Sequence, residues 1–401
     1  MSADSPWVSA ADASRLLRVS RTTLYAYVSR GFIRSQATPG PSRTRHYSRE
    51  DVERMRRRTE ERRDPGKAAA RALQWGVPVL ESSITLVDGA RVYYRGFDAV
   101  ELARDRSVAA VASLIWLGRF DEAFPRPDRS GAAPAESLPF VPRAQALLAA
   151  AAVRDHRAFD LRPPAVALTG WRILHLLTSA ATRSKMTAGT IDQDLGRAWR
   201  VAPRGHDVLR RVLILCADHE LNVSSFTARC VASAGSHPYA VAIADLAALE
   251  GTRHGGSSAR VESMLDAIRR ARPVRAALAA RLRRGEAIDG FGHPLYRGGD
   301  PRASALLDLL RGEYARSAEL LFVLEVAEAA AAATGEQPNL DFALAAVARV
   351  LRLPAGSALT LFAIGRTIGW IGHAIEQYGT GQLIRPRAKY VGVVPADRQA
   401  L

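Results

Sequence analysis

Alanine sets the texture of most of this chain and constrains its fold more than any other feature. Runs such as Ala329–Ala333 and Ala149–Val153, with few β-branched stretches between them, favour helix over sheet. Alanine loses no side-chain entropy in a helix and buries no polar group there. From about Phe97 onward nearly every segment places apolar residues at helical spacing. One stretch breaks the pattern: Ile84–Phe97 alternates around Asp88-Gly89, which predicts a β-hairpin. At 401 residues the chain has room for two or three domains and a large core. Pro125–Pro142, rich in Pro, Ser and Ala, is expected to be a surface loop.

The formal net charge of +16 suits a polyanionic partner, either nucleic acid or a phosphate-bearing cofactor. A plainer source competes: only Lys67, Lys185 and Lys389 are lysines, and an arginine- and alanine-rich composition also follows from a GC-rich genome. Cys216 and Cys230 sit in apolar, helix-like surroundings and read as small buried hydrophobes, not as a bridge or a metal pair. No metal site is expected. The N-terminus has no apolar stretch behind a basic start, and no apolar run approaches the roughly 20 residues that cross a bilayer. The chain therefore reads as cytoplasmic, with no membrane partner.

Residues 1–65 have a texture of their own. Ser9-Ala-Ala-Asp12 has the form of a capping box before apolar residues at helical spacing. A second short helix is expected from Thr22 to Ser29, stopped at Gly31. The turn-rich Thr38–Ser42 leads into basic Arg43-Thr44-Arg45-His46-Tyr47. A second capping box, Ser48-Arg49-Glu50-Asp51, opens an arginine-rich helix to about Arg63, and Asp64-Pro65-Gly66 closes the unit. Helix, turn, helix, basic wing, helix resembles the winged helix-turn-helix of MerR-like and excisionase-like modules. That resemblance implies that Arg21, Thr22, Thr23 and Tyr25 face a DNA major groove, while Arg43 and Arg45 reach phosphates. The competing reading is a helical adaptor that does not bind DNA.

Four segments further on combine polar residues with glycine or proline beyond what packing needs. In Cys216-Ala-Asp-His219-Glu-Leu-Asn222, His219 and Asn222 extend the apolar stripe of Leu209, Val212, Leu213 and Cys216. In Gly251-Thr-Arg-His254-Gly-Gly256 the glycines let backbone approach a ligand closely. Asp289-Gly-Phe-Gly-His293-Pro-Leu-Tyr-Arg297-Gly-Gly-Asp-Pro-Arg302 sets a histidine in a glycine-rich loop with two arginines downstream. Pro338-Asn-Leu-Asp341-Phe342 brings a carboxylate to an apolar helix start. Taken singly, each is also readable as a turn, a cap or a satisfied core residue.

In order and wording these segments, with Gly365-Arg366-Thr-Ile-Gly-Trp-Ile-Gly-His373 and Leu383-Ile-Arg385-Pro-Arg-Ala, resemble the citrate synthase family from about Leu80 to Val394. Residues 125–200 match poorly. The resemblance implies an all-α fold with a large domain (74–256 and 363–401) and a small domain (257–362), the site lying in the cleft between them. It implies condensation of acetyl-CoA, as cosubstrate, with oxaloacetate to give citrate, and no permanently bound cofactor. The implied roles are Asp341 as base, His254 as donor to the enolate oxygen, and His293 as polariser of the oxoacid carbonyl. Arg302, Arg366 and Arg385, with His219, would hold the dianion, and Arg297 a CoA phosphate. Arg385 would serve the neighbouring subunit, which implies a homodimer. Pro294, Thr252 and Ser257-Ser258 depart from the usual family wording. Alternatives of the same resemblance are a 2-methylcitrate synthase using propionyl-CoA, or a DNA-binding regulator that senses oxaloacetate or acyl-CoA.

Overall fold

The computed structural model of the chain describes residues 6–37, 45–63, 80–121, 124–125, 138–184 and 189–393, with backbone alone at 57–63. Arg43, Asp64-Pro65-Gly66, most of Pro125–Pro142 and the arginine side chains beyond Arg56 in the third helix therefore lie outside the described residues. The chain divides into two compact units, Met1–Glu81 and Ser82–Leu401.

The first unit runs β1 (Trp7–Ser9), α1 (Ala10–Leu17), α2 (Arg21–Ser29), β2 (Ser35–Ala37), β3 (Arg45–Ser48) and α3 (Arg49–Arg63). Both expected capping boxes begin helices. The Ser9 hydroxyl accepts the Asp12 amide at 3.1 Å and donates to the Asp12 carboxylate at 2.7 Å. Ser48 accepts the Asp51 amide at 3.3 Å. Ser20 caps α2 through the Thr23 amide at 3.2 Å, so this helix starts one residue before the expected Thr22. Strand β1 was not expected. It has three residues, too few to show alternation, and forms because Val8 pairs with Tyr47 across an antiparallel sheet ordered β1-β3-β2. Val8, Ala13, Leu17, Leu24, Ile33, Tyr47 and Val52 make a small core. The buried Asp51 carboxylate takes the Arg34 side chain at 2.7 Å and its amide at 2.9 Å. The Arg34 guanidinium holds it down to about 2, against the upward pull of burial.

The second unit opens with the expected hairpin, β4 (Thr85–Asp88) and β5 (Arg91–Tyr94), extended by β6 (Phe97–Asp98). Helices follow: α4 (Ala99–Asp105), α5 (Val108–Leu117), α6 (Phe140–Ala152), α7 (Pro163–Thr182), α8 (Ile191–Ala198), α9 (Pro203–Leu215), α10 (Val223–Ser233) and α11 (Pro238–Leu249). Next come α12 (Gly256–Arg270), α13 (Val274–Arg283), α14 (Pro301–Tyr314), α15 (Ala318–Thr334), α16 (Leu340–Val350) and α17 (Ser357–Thr380).

Helix α17 is the axle of this unit, packed against α5, α7, α9, α10, α11, α12 and α16. Gly365 and Gly369 permit the closest of these approaches. A β-carbon on Gly365 would stand 2.6 Å from the Leu213 carbonyl, and one on Gly369 2.5 Å from that of Ala217. The Gly369 amide in turn donates to Ala217 at 2.8 Å. Helix α17 also corrects the expectation that no apolar stretch is long enough to cross a bilayer. Its 24 residues are, by length and composition, and 89% of the apolar window is buried inside the protein. Its apolar character serves core packing, and Arg366, His373 and Gln377 are buried along it.

Candidate active site

His219 stands in the loop between α9 and α10, not on a helix. Helix α9 ends at Leu215 with Cys216 as its cap, and Asn222 caps α10 by accepting the Ser225 amide at 2.9 Å. The expected stripe from Leu209 through His219 to Asn222 is thus interrupted. Within the loop Glu220 takes a φ of 52°, in the left-handed region, a conformation costing a side-chain-bearing residue about 1–2 kcal/mol. Beneath the loop Asp218 is fully buried and accepts from Thr85 Oγ1 and from His373 Nε2 at 3.1 Å. Burial alone would raise its carboxyl. The His373 ring, Arg366 and the Thr85 hydroxyl hold it below the ordinary range instead. Tyr94 of β5 donates to the Leu215 and Asp218 carbonyls at 3.3 Å each, so the hairpin braces this loop.

His293 follows a loop in which Gly290 and Gly292 take φ of 86° and 73°. Gly292 donates to the Gln337 carbonyl at 2.9 Å, the Asn339 amide to Gly290 at 2.9 Å, and Asn339 Nδ2 to the Gly292 carbonyl at 3.1 Å. Asn339 also caps α16 through the Asp341 amide at 3.0 Å. One side chain therefore fixes both the His293 loop and the start of the Asp341 helix. The Leu295 amide donates to His293 Nδ1 at 3.2 Å, which leaves the proton of the neutral ring on Nε2.

The rings of His219 and His293 meet edge to face at 5.2 Å, and Tyr296 packs on both, at 5.5 Å and 4.9 Å. The Tyr296 hydroxyl lies 2.6 Å from His219 Nε2. Arg302 lies 5.9 Å from the Tyr296 ring and is paired with Asp300. Arg366, fully buried, donates through Nε to the Cys216 carbonyl at 2.7 Å and stacks on Phe362 at 4.7 Å. Its buried Nη1 has no partner among the described residues. Phe362 also meets the His254 ring, 6.0 Å away. His219, His254 and His293 are all pushed below the ordinary imidazole value by burial first and neighbouring arginines second, His254 to about 4. They are neutral at pH 7.

His254 sits in the tight turn after α11. A β-carbon on Gly255 would stand 2.4 Å from the Leu249 carbonyl. Its Nε2 is 2.9 Å from the Ser224 hydroxyl, which in turn reaches Asn222 Oδ1 at 2.9 Å. Asp341, at the second position of α16, accepts from Ser258 at 2.5 Å. Burial raises its carboxyl, while Ser258, Ser257, Arg302 and Arg260 oppose the rise. The Cys216 thiol behind the site is pushed up to about 12 by burial, too high for a nucleophile at neutral pH.

His219, His254, His293, Arg302, Asp341 and Arg366 thus share one neighbourhood. Two expected site residues do not join it within this chain. Arg385 is exposed on the irregular segment after α17, and Arg297 is exposed beside the His293 loop; no described hydrogen bond or ion pair ties either to the cluster. In the first unit Arg21, Thr22 and Tyr25 are exposed on α2 and Arg45 on β3, with Thr23 half-buried; Arg43 lies outside the described residues. Tyr296, Asp300, Asn339, Asp218 and Ser224 join the site without having stood out in the sequence. Asp300-Pro301 carried a usable signal, an N-cap followed by proline. The others needed the tertiary contacts.

The chain is similar to known proteins. A protein named putative citrate synthase 2 from Mycobacterium tuberculosis is 37% identical over 205 residues, half of this chain and 55% of its own length. A protein named 2-methylcitrate synthase 1 from Corynebacterium glutamicum is 36% identical over 189 residues, 46% of this chain and 49% of its own. The chain thus spans about half the length of these curated relatives. The crystal structure of citrate synthase from Thermotoga maritima superposes with a TM-score of 0.63 at 26% identity, covering 80% of this chain and 97% of that one. The helix-turn-helix domain family matches residues 7–59, and the citrate synthase C-terminal domain family matches residues 141–387. Matched over more than half its length, this chain belongs to the citrate synthase family.

Proposed function

We propose that the chain is an acyltransferase that condenses acetyl-CoA with oxaloacetate to give citrate and CoA. The single observation that carries this reading is Arg366 Nη1, a buried cationic donor without a partner among the described residues, beside His219, His293 and Arg302. A guanidinium kept dry in this way suits a carboxylate ligand, because an unpaired buried donor is costly. Arg302, Arg366 and His219 would hold the dianion. Neutral His293, with its proton on Nε2, would polarise the oxo carbonyl. Asp341, its basicity raised by burial, would take a proton from the acyl methyl, and His254 would donate to the resulting enolate oxygen. Water then hydrolyses the condensed thioester. For His254 to donate through Nδ1 its Nε2 must accept, so the Ser224 hydroxyl would turn from Asn222 to the ring.

The chemistry draws on both sides of the domain division that we propose: His219, His254 and Arg366 from 74–256 and 363–401, and His293, Arg302 and Asp341 from 257–362. Closure of that cleft would exclude water. Arg297 is assigned to a CoA phosphate. Arg385, on its exposed segment, is assigned to the neighbouring subunit's site in a homodimer. We also assign Arg21, Thr22, Thr23, Tyr25, Arg43 and Arg45 to DNA contact. A CoA-release assay with oxaloacetate, run with acetyl-CoA and propionyl-CoA, tests the function. The proposal expects a higher kcat/KM with acetyl-CoA. A preference for propionyl-CoA makes it a 2-methylcitrate synthase, the reading that the Corynebacterium relative supports, and no CoA release with either overturns it.

A further inference from the structure

We propose that Ser258, supported by Ser257, is a positioning residue that tunes Asp341 as a base by donating a hydroxyl proton to its carboxylate. This rests on the assignment of Asp341 as the base. Ser258 is fully buried in the first turn of α12 and has its hydroxyl 2.5 Å from Asp341 Oδ1. The Ser257 hydroxyl acts on the same carboxyl in the same direction, second to that of Ser258. The turn that presents them is fixed: the Ser257 amide donates to the His254 carbonyl at 3.1 Å and that of Ser258 to Gly255 at 3.3 Å. The loop that carries His254 therefore also delivers the two donors to Asp341.

The chemistry follows from what a hydroxyl does to a carboxylate. It adds no charge and donates more strongly to the ionised carboxylate than to the neutral acid, so it favours ionisation and fixes the orientation of the group. The other groups that act on Asp341 are Arg302 from α14 and Arg260 from α12, both cationic, and the Cys216 thiol, which feels its charge. Arg260 is itself tied to Asp289 at 2.8 Å, which weakens its pull. Burial alone pushes the carboxyl upward, and the hydroxyls oppose it. The two serines extend the ionised range towards acid pH, so the base is competent there at some cost in proton affinity.

The test is the pH profile of CoA release from acetyl-CoA and oxaloacetate by the full chain, for Ser258→Ala, Ser257→Ala, Ser258→Thr and Asp341→Asn. Loss of one such donor is expected to move the acid limb of kcat up by about one pH unit in Ser258→Ala. A smaller shift is expected in Ser257→Ala, with an unchanged KM for oxaloacetate in both. Ser258→Thr, which keeps the hydroxyl, is expected to restore the limb. A purely structural serine would change melting temperature but leave the limb in place. An unmoved limb in both alanine variants, or a shift that threonine does not reverse, overturns the proposal while Asp341→Asn stays inactive. Full CoA release by Asp341→Asn instead removes the base assignment itself.

Discussion

Asp300 grips Arg302 with both carboxylate oxygens, Oδ1 accepting from Nε at 3.0 Å and Oδ2 from Nη2 at 2.7 Å, and both side chains are buried. Burial would raise the Asp300 carboxyl, yet the guanidinium holds it below its ordinary range. Three guanidinium protons remain for a ligand, in a plane fixed by the pair. Removing one partner of a buried pair leaves an uncompensated charge and costs about 3–5 kcal/mol. Asp300→Asn is therefore expected to lower the melting temperature and to raise the oxaloacetate KM more than it lowers kcat. Steady-state kinetics and thermal melts check this. A variant with wild-type KM means that Asp300 stabilises the fold without aiming Arg302.

Arg366→Leu removes the buried donor that has no partner among the described residues. It is expected to raise the oxaloacetate KM by at least tenfold, the effect of losing about 1.5–3 kcal/mol from a charged hydrogen bond. Steady-state kinetics on both substrates reads it. If CoA affinity falls and the oxaloacetate KM does not move, the assignment of Arg366 to a carboxylate is wrong.

The sequence announced the chemistry-bearing residues better than the scaffolding between them. His254, His293, Asp341, Arg302 and Arg366 lie in glycine-rich or helix-start motifs whose wording is specific, and they fall in one neighbourhood. The hairpin around Asp88-Gly89 and the capping boxes at Ser9 and Ser48 were readable because turn and cap chemistry is local. The loop at His219 was not, because apolar residues run up to Cys216 and nothing local marks the end of α9. Tyr296 and Asn339 were passed over for a related reason. Tyr296 reaches His219, far away in sequence, and Asn339 joins its local cap on α16 to the distant Gly292 carbonyl. Helix α17 escaped in a different way: Arg366, His373 and Glu376 interrupt its apolar run, so its span-like length and composition show only once Ser357–Thr380 is seen as one helix.

Asp245 of α11 predicts a pH effect on stability. It is fully buried, neither carboxylate oxygen has a hydrogen-bond partner among the described residues, and burial pushes its carboxyl well above the ordinary value. A raised carboxyl favours the protonated form in the folded state. Its favourable contribution is therefore complete below the unfolded value of 3.8 and is lost as pH rises above it. Asp245→Ala is expected to raise the melting temperature by several degrees at pH 7 and by progressively less towards pH 4. Calorimetry at three pH values reads this, and an equal or opposite effect at pH 7 would show that Asp245 has a compensating partner.

The exposed Arg21 and Arg45 predict DNA binding that depends on salt. Each phosphate contact displaces condensed counterions, so affinity should fall steeply between about 50 and 200 mM salt. Arg21→Glu with Arg45→Glu in the full chain is expected to abolish a gel shift with duplex DNA and to leave CoA release unchanged, since neither residue belongs to the catalytic cluster. A wild-type chain that retains no duplex at low salt identifies the module as an adaptor.

Asp341→Asn keeps the size and the helix position of the side chain while removing its basicity, so it isolates the proton transfer assigned to Asp341. Oxaloacetate affinity by calorimetry and CoA release from acetyl-CoA are measured on the same preparation. With Asp341 as the base, oxaloacetate affinity is expected to stay unchanged and turnover to fall by about two or more orders of magnitude. CoA release near the wild-type rate would contradict it.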